Sequence, residues 1–311
     1  MGSYSYDRDV YSGSSYDSWG ASDYSSSKLN STSLDSKMLP KGKIIKSDAK
    51  TPIVIVLDVT GSNINFARLV YDKFPMFYGE LEQKGYLKDF DISICAVGDA
   101  YTDDYPIQIN DFAKGLEIDS NLEKLVLEGA GGGQVQESYE LMAHYLANNT
   151  EFRKDANPMV FFVADEAPYK DLNLSQAEGI GIPAEKGYKP FEALNKKFKD
   201  NVFVMLNRYC GNKFRSDITD AWKEVLPPEH VVRIPEEKAI IDLILGVIAI
   251  QKQDLEVYAL DMKGRGQTTT RIEGVTKSLQ ELSNSTEIAN VNTDIGTSLS
   301  LKPNTNKGRR L

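Results

Sequence analysis

Three oxygen-bearing side chains stand two residues apart in the segment IVIVLDVTGS at positions 53–62: Asp58, Thr60 and Ser62. One turn of chain can bring a carboxylate and two hydroxyls at that spacing to a single spot. Hard oxygen donors suit Mg²⁺, Mn²⁺ or Ca²⁺ rather than zinc or copper. The five residues before Asp58 are β-branched or Leu, which predicts a strand buried on both faces. An acid at the carboxyl end of such a strand lies where open α/β sheets bind their ligands. The same residue types also suit a helix start, where Thr60, Ser62 or Asn63 would cap the backbone and Asp58 would face the positive end of the dipole.

A second acid has the same placement. The run MVFFVA at 159–164 reads as a buried strand and ends at Asp165. Between the two strands lies a glycine-rich loop, GAGGGQ at 129–134, followed closely by Glu137 and Ser138. A third acidic group, Asp99 with Asp103 and Asp104, follows the apolar run 90–98. A solvated acidic loop is the simple account of that group.

Helical and strand signals alternate between these points. Phe66, Leu69, Val70, Phe74, Phe77 and Leu81 recur at helical spacing, and further helices are predicted at 122–127, 135–148, 191–198, 218–225 and 236–253. Strands are predicted at 90–98, 107–109, 202–206 and 231–234. This alternation predicts an α/β fold, a doubly wound, mostly parallel, Rossmann-like sheet with helices on both faces. With the first strand central and the 159–164 strand beside it, Asp58 and Asp165 fall together at the topological switch point.

Composition narrows the function classes. The chain has 311 residues, 41% hydrophobic and 26% charged, and a formal net charge of −9, so nonspecific nucleic-acid binding by the whole protein is not expected. Two distant cysteines, Cys95 and Cys210, form no CxxC pair, and with no signal-peptide pattern the reading is a cytoplasmic protein. Only two histidines are present, His144 and His230, which argues against a histidine zinc site. The most apolar stretch, 239–250, carries Asp242 and is too short to span a bilayer, so no membrane role is expected. Residues 1–45 are rich in Ser and Tyr and poor in aliphatics, and are expected to be disordered, with 50–255 folded. The segment 262–311 is expected to be a largely disordered basic tail with a weak helix at 272–282. Counted from Lys263 it holds eight Lys or Arg against four acids, a charge pattern that allows weak contact with nucleic acid or an acidic partner.

From about Thr51 to Gln253 the chain resembles the von Willebrand factor A-type domain family, whose metal-ion-dependent adhesion site uses three loops. Asp58-Val59-Thr60-Gly61-Ser62 matches the D-x-S/T-x-S loop, and Asp165 in FFVADEAP matches the third loop. In the second loop Gln134 stands where the family usually has Thr, with Glu137 and Ser138 as nearby substitutes and Asp99 as a further auxiliary acid. The resemblance implies direct ligation of Mg²⁺ or Mn²⁺ (Ca²⁺ also fits) by Thr60 and Ser62. Asp58 and Asp165 would hold the ion directly or through water, and one open position would take a carboxylate from a protein partner. It implies an intracellular adaptor, with ring-shaped ATPase complexes among the partners such domains serve, and no catalysis. With Gln134 in place of Thr, a metal-independent interaction module is a further alternative.

A rival reading is enzymatic. D-V-T-G-S is also similar to the nucleophile loop of haloacid dehalogenase-like phosphotransferases, with Asp58 as nucleophile and Gly98-Asp99, Asp103 and Asp104 as the magnesium motif. In that family the magnesium motif comes late in the chain, whereas here it falls on the very next strand, and the reading leaves Asp165 and the GGGQ loop without a role. Val59 separates Asp58 from Thr60-Gly61, unlike an aspartic protease, and GAGGGQ lacks the GK[ST] of a P-loop.

Overall fold

A computed structural model describes residues 33–61, 63–128 and 135–298. In chain order the elements are β1 (Ile45–Ser47), β2 (Thr51–Asp58), α1 (Ile64–Lys84), β3 (Phe90–Val97), β4 (Ile107–Gln108), α2 (Leu116–Leu122), β5 (Gln136–Glu137), α3 (Tyr139–Asn148), β6 (Thr150–Phe152) and β7 (Met159–Ala164). There follow β8 (Ala167–Pro168), α4 (Leu174–Gly179), α5 (Pro190–Lys197), β9 (Val202–Leu206), α6 (Ser216–Val225), β10 (Val231–Arg233), α7 (Ile240–Ala249), α8 (Leu255–Gly264) and α9 (Thr269–Ser298).

The central sheet has the order β10-β9-β7-β2-β3-β4, and only the β3–β4 edge pair is antiparallel. The chain winds outward from β2 in both directions, the doubly wound α/β arrangement expected from the alternating pattern. The period of two along β2 divides the core. Ile53, Ile55 and Leu57 pack with Phe66, Val70, Phe74 and Phe77 of α1 and with α7 on one face. Val54 and Val56 pack with Tyr139, Phe162 and Trp222 on the other. Asp58 pairs in register with Val97, and Leu57 with Val163, so the ends of β2, β3 and β7 lie level.

Three expectations change. The helix expected at 122–127 ends at Leu122, because the Gln108 side-chain amide takes over the next backbone: its Nε2 donates to Val126 O and its Oε1 accepts from Val126 N–H, both at 2.8 Å. The helix expected from Val135 starts at Tyr139, since Gln136 and Glu137 pair instead with Ala167 and Pro168. The tails are shorter than composition suggested. Met38 and Ile45 are buried, Met38 O accepts from Ile109 N–H at 2.9 Å, and β1 pairs with β6. Residues 1–32 and 299–311 lie outside the described residues.

At the other end, α8 and α9 replace most of the expected disordered tail. Composition misleads there because tertiary packing, not propensity, holds the helix. Val275, Leu279 and Leu282 recur at helical spacing and are buried against the core, with Ile272 packed beside them. Gly246 on α7 permits the contact, since a Cβ there would lie 2.4 Å from Leu279 Cδ1 and 2.8 Å from Tyr258 Cε1. A buried ion pair anchors the same corner: Arg265 donates to Asp242 Oδ1 at 2.8 Å and lies 3.6 Å from Glu80.

Candidate metal centre

Asp58 is the last residue of β2 and has no exposed surface. Its Oδ1 accepts from the Thr60 N–H at 2.9 Å and from the Thr60 hydroxyl at 2.6 Å. This Asx turn follows from the two-residue spacing. It also orients the Thr60 hydroxyl, whose proton goes to Asp58. Asp58 Oδ2 accepts from the Tyr139 hydroxyl at 2.5 Å. Tyr139 opens α3 and packs edge-on against Phe162 and at a tilt against Trp222, so the phenol reaches the site from a rigid base.

Asp165 follows β7 directly, is buried, and accepts from Cys210 N–H at 3.0 Å. Cys210 adopts a left-handed backbone, φ 48°, which turns that N–H towards the carboxylate. The Asp165 side chain is close enough to act on the Asp58 carboxyl, so the two acids expected at the switch point lie side by side. Burial pushes the Asp58 carboxyl up despite its bonds to Thr60 and Tyr139 and the neighbouring Asp165 side chain. Glu137 is pushed far up, first by burial, then by the charges of Asp58 and Glu166. The other charge that weighs on it, Asp99, is also an acid. Tyr139 is held protonated by burial and by the same acids.

The auxiliary positions divide. Glu137 Oε2 is buried with no hydrogen-bond partner among the described residues. Even so, no group of three or more His, Cys, Asp and Glu side chains among those residues is placed to hold a metal ion. Glu137 therefore stands beside the Asp pair as a buried, protonated acid. Ser138 Oγ accepts from Ala100 N–H at 2.9 Å and so pins the loop after β3. Asp99 is buried, not solvated as the sequence suggested, and its own loop engages it. Oδ1 accepts from Tyr101 N–H and the Tyr169 hydroxyl, each at 3.1 Å, and Oδ2 from Thr102 Oγ1 at 3.3 Å. The Asp99 N–H in turn donates to Asp103 Oδ2 at 2.7 Å. A Cβ at Gly98 would come within 2.5 Å of that same oxygen, so any larger residue there would have to displace the Asp103 side chain. Ser62 and Gln134 lie outside the described residues.

Asn63 occupies the N-cap position of α1 but makes no side-chain capping bond, and both its amide atoms are buried without partners among the described residues. Among the described residues the Asn63 side chain therefore does not cap α1. Tyr139, Glu166 and the Cys210 N–H were missed in the sequence. Glu166 stands next to Asp165 and was visible as a second acid. Tyr139 and Cys210 carried no local signal, because only the fold brings them to the site.

The described oxygens fit a hard divalent ion. Two buried carboxylates side by side, with a hydroxyl oriented beside them, form an all-oxygen donor set in which like charges are relieved by a cation or a proton. The two histidines are elsewhere, with His144 bonded to Ile182 O and His230 to Val202 O.

No family model matches the chain, and no curated protein matches it. Among solved structures it is similar to the pilus adhesin SpaC from Lactobacillus rhamnosus GG in its open conformation, at 11% identity and TM-score 0.45, over 68% of this chain and 31% of that one. It is also similar to proximal thread matrix protein 1 from the mussel byssus, at 13% identity and TM-score 0.41, over 66% of this chain and 49% of that one. The chain thus spans 31% and 49% of the length of these two proteins.

Proposed function

We propose that this protein is a binding module similar to von Willebrand factor A-type domains, one that holds a divalent cation through Asp58, Thr60 and Ser62 with Asp165. In this reading it uses that ion to engage an acidic group on a protein partner. The observation that carries the reading is the placement of Asp58 beside Asp165, buried at the carboxyl ends of the neighbouring strands β2 and β7. When bound, Mg²⁺ or Mn²⁺ supplies a Lewis-acidic position for a carboxylate oxygen.

The chain's own residues do the rest. Asp58 fixes the Thr60 hydroxyl, Tyr139 fixes Asp58, and the Cys210 N–H fixes Asp165, so the donor set is preorganised on the ends of two rigid strands. Glu137 beside them is held protonated by burial and by the same acids, and a cation between Asp58 and Asp165 would relieve that crowding of like charge. No helix among the described residues is long and apolar enough to cross a membrane. Both cysteines are unpaired, which supports a reducing, cytoplasmic compartment.

Calorimetric titration with MgCl₂ and MnCl₂ of the wild type and of Asp58→Ala, Asp165→Ala and Asp99→Ala tests the reading. Saturable binding lost in the first two variants and kept in the third is expected. Loss in Asp58→Ala and Asp99→Ala with Asp165→Ala unaffected would instead support the phosphotransferase arrangement.

A further inference from the structure

The β5–β8 ribbon has two sides. Adjacent residues of a strand point to opposite faces, so Glu137 and Gln136 look in opposite directions. Behind the ribbon lies a cavity of about 430 Å³ whose lining includes Gln136, Glu140, Pro168, Pro190, Phe191 and Val225. This volume is in the range of small-molecule sites. Its lining is about equally polar and apolar, with Pro168, Pro190, Phe191 and Val225 supplying the apolar part, and its rim carries exposed Lys170, Lys189, Glu192 and Glu224, two charges of each sign. The rim is therefore neutral, and any preference for charge is set deeper in.

Glu140 sets it. This residue is only 2% exposed, sits in the first turn of α3 and lines the cavity. Its Oε2 is buried without a hydrogen-bond partner among the described residues. Gln136 adds a second acceptor, because its Nε2 donates to Pro168 O at 3.4 Å and leaves the amide oxygen available. Tyr169, the nearby hydroxyl, is committed to Asp99. The inner end of the cavity thus offers two acceptors, one of them on a buried carboxyl group, beside the apolar side chains of Pro168, Pro190 and Phe191. A buried acceptor left unsatisfied is costly, and a charged donor satisfies it best.

We propose that this cavity binds a primary ammonium group on an apolar stem, with Glu140 as its counter-ion and Gln136 as a second acceptor. Two sources present that chemistry: a lysine side chain of another protein and a free alkylamine. The site is separate from the metal centre and does not depend on it.

The test uses the full chain and three probes followed by calorimetry and by amide chemical shifts: n-butylamine, Nα-acetyl-lysine methylamide, and n-butanol as the neutral analogue. Saturable binding of n-butylamine is expected, with shifts centred on Gln136, Glu140 and Tyr169. It should weaken about tenfold or more in Glu140→Gln and be unchanged in Asp58→Ala. Binding of the lysine probe as well would assign the site to protein lysines, and its exclusion would assign it to free amines. Ala221→Trp, on the cavity wall, keeps the test valid if Glu140→Gln fails to fold, because filling the space should abolish binding. No saturable binding of either amine, equal binding of n-butanol, or undiminished binding in a folded Glu140→Gln or Ala221→Trp variant would overturn the proposal.

Discussion

Replacing Tyr139 with Phe isolates one oxygen atom at the centre of the site. The ring contacts with Trp222 and Phe162, at centroid distances of 5.1 and 6.3 Å, are kept, so packing is unchanged and only the hydroxyl that donates to Asp58 Oδ2 is lost. A buried hydrogen bond to an acidic group contributes about 1.5–3 kcal/mol when the acceptor is ionised, and about 0.5–1.5 kcal/mol when it is neutral. Burial pushes the Asp58 carboxyl up, and the middle of the two ranges, about 2 kcal/mol, is the expected loss. In a domain of this size each kcal/mol lowers Tm by about 2–4 °C, and Tyr139→Phe should melt roughly 4–8 °C below wild type in metal-free buffer. Asp58→Asn removes the buried charge and keeps an acceptor for Thr60, so by itself it should be neutral or stabilising while ending cation binding. In the double variant the two effects should be coupled by about 1 kcal/mol, since both act on one contact. Urea unfolding of the four proteins closes the cycle. A Tyr139→Phe protein within about 0.5 kcal/mol of wild type, or strictly additive effects, would refute the claim that this phenol holds Asp58 in place.

Other consequences can be measured in parallel. Burial raises the Glu140 carboxyl from 4.5 to about 8, so the folded form takes up a proton that the unfolded chain has released. Its stabilising effect is full below 4.5 and is lost as pH rises towards 8. Glu140→Gln should flatten the fall in urea midpoint across that window, and an unchanged slope would contradict the assignment. Arg265→Met leaves Asp242 and Glu80 buried without their shared cation, and should cost about 3–5 kcal/mol by chemical denaturation. A loss below about 1 kcal/mol would mean the pair is effectively solvated. Gly246→Ala gains helix propensity of about 1 kcal/mol but places a methyl against Leu279 and the Tyr258 ring. Overpacking of about 1–3 kcal/mol should win, and a more stable variant would show that α8 and α9 yield at this contact.

The parts of this molecule that could be read from its sequence are those where chemistry is local. The continuous apolar runs ending in Asp58 and Asp165 fixed two neighbouring buried strands, β2 and β7, and the winding of the chain placed both acids at one end of the sheet. Strands of two or three residues such as β5 and β8 have no periodicity to read, because only their mutual pairing defines them. The C-terminal helices were hidden by Thr, Ser and Asn, although Val275, Leu279 and Leu282 already carried the spacing of a buried face. Tyr139 and the Cys210 N–H reach Asp58 and Asp165 across gaps of 81 and 45 residues. No local pattern encodes contacts of that kind. Asp99 shows the reverse error: an acidic loop that reads as solvated is tied inward by Tyr101, Thr102 and Tyr169.

The central claim is that a divalent ion sits between Asp58 and Asp165, and paramagnetic relaxation by Mn²⁺ tests it most directly. Substoichiometric Mn²⁺ added to the isotopically labelled protein should broaden the amide signals of Thr60, Tyr139, Asp165 and Cys210 first, and excess Mg²⁺ should restore them. Broadening confined to exposed acids such as Asp104 and Asp171, or equal broadening in wild type and Asp58→Ala, would contradict the account.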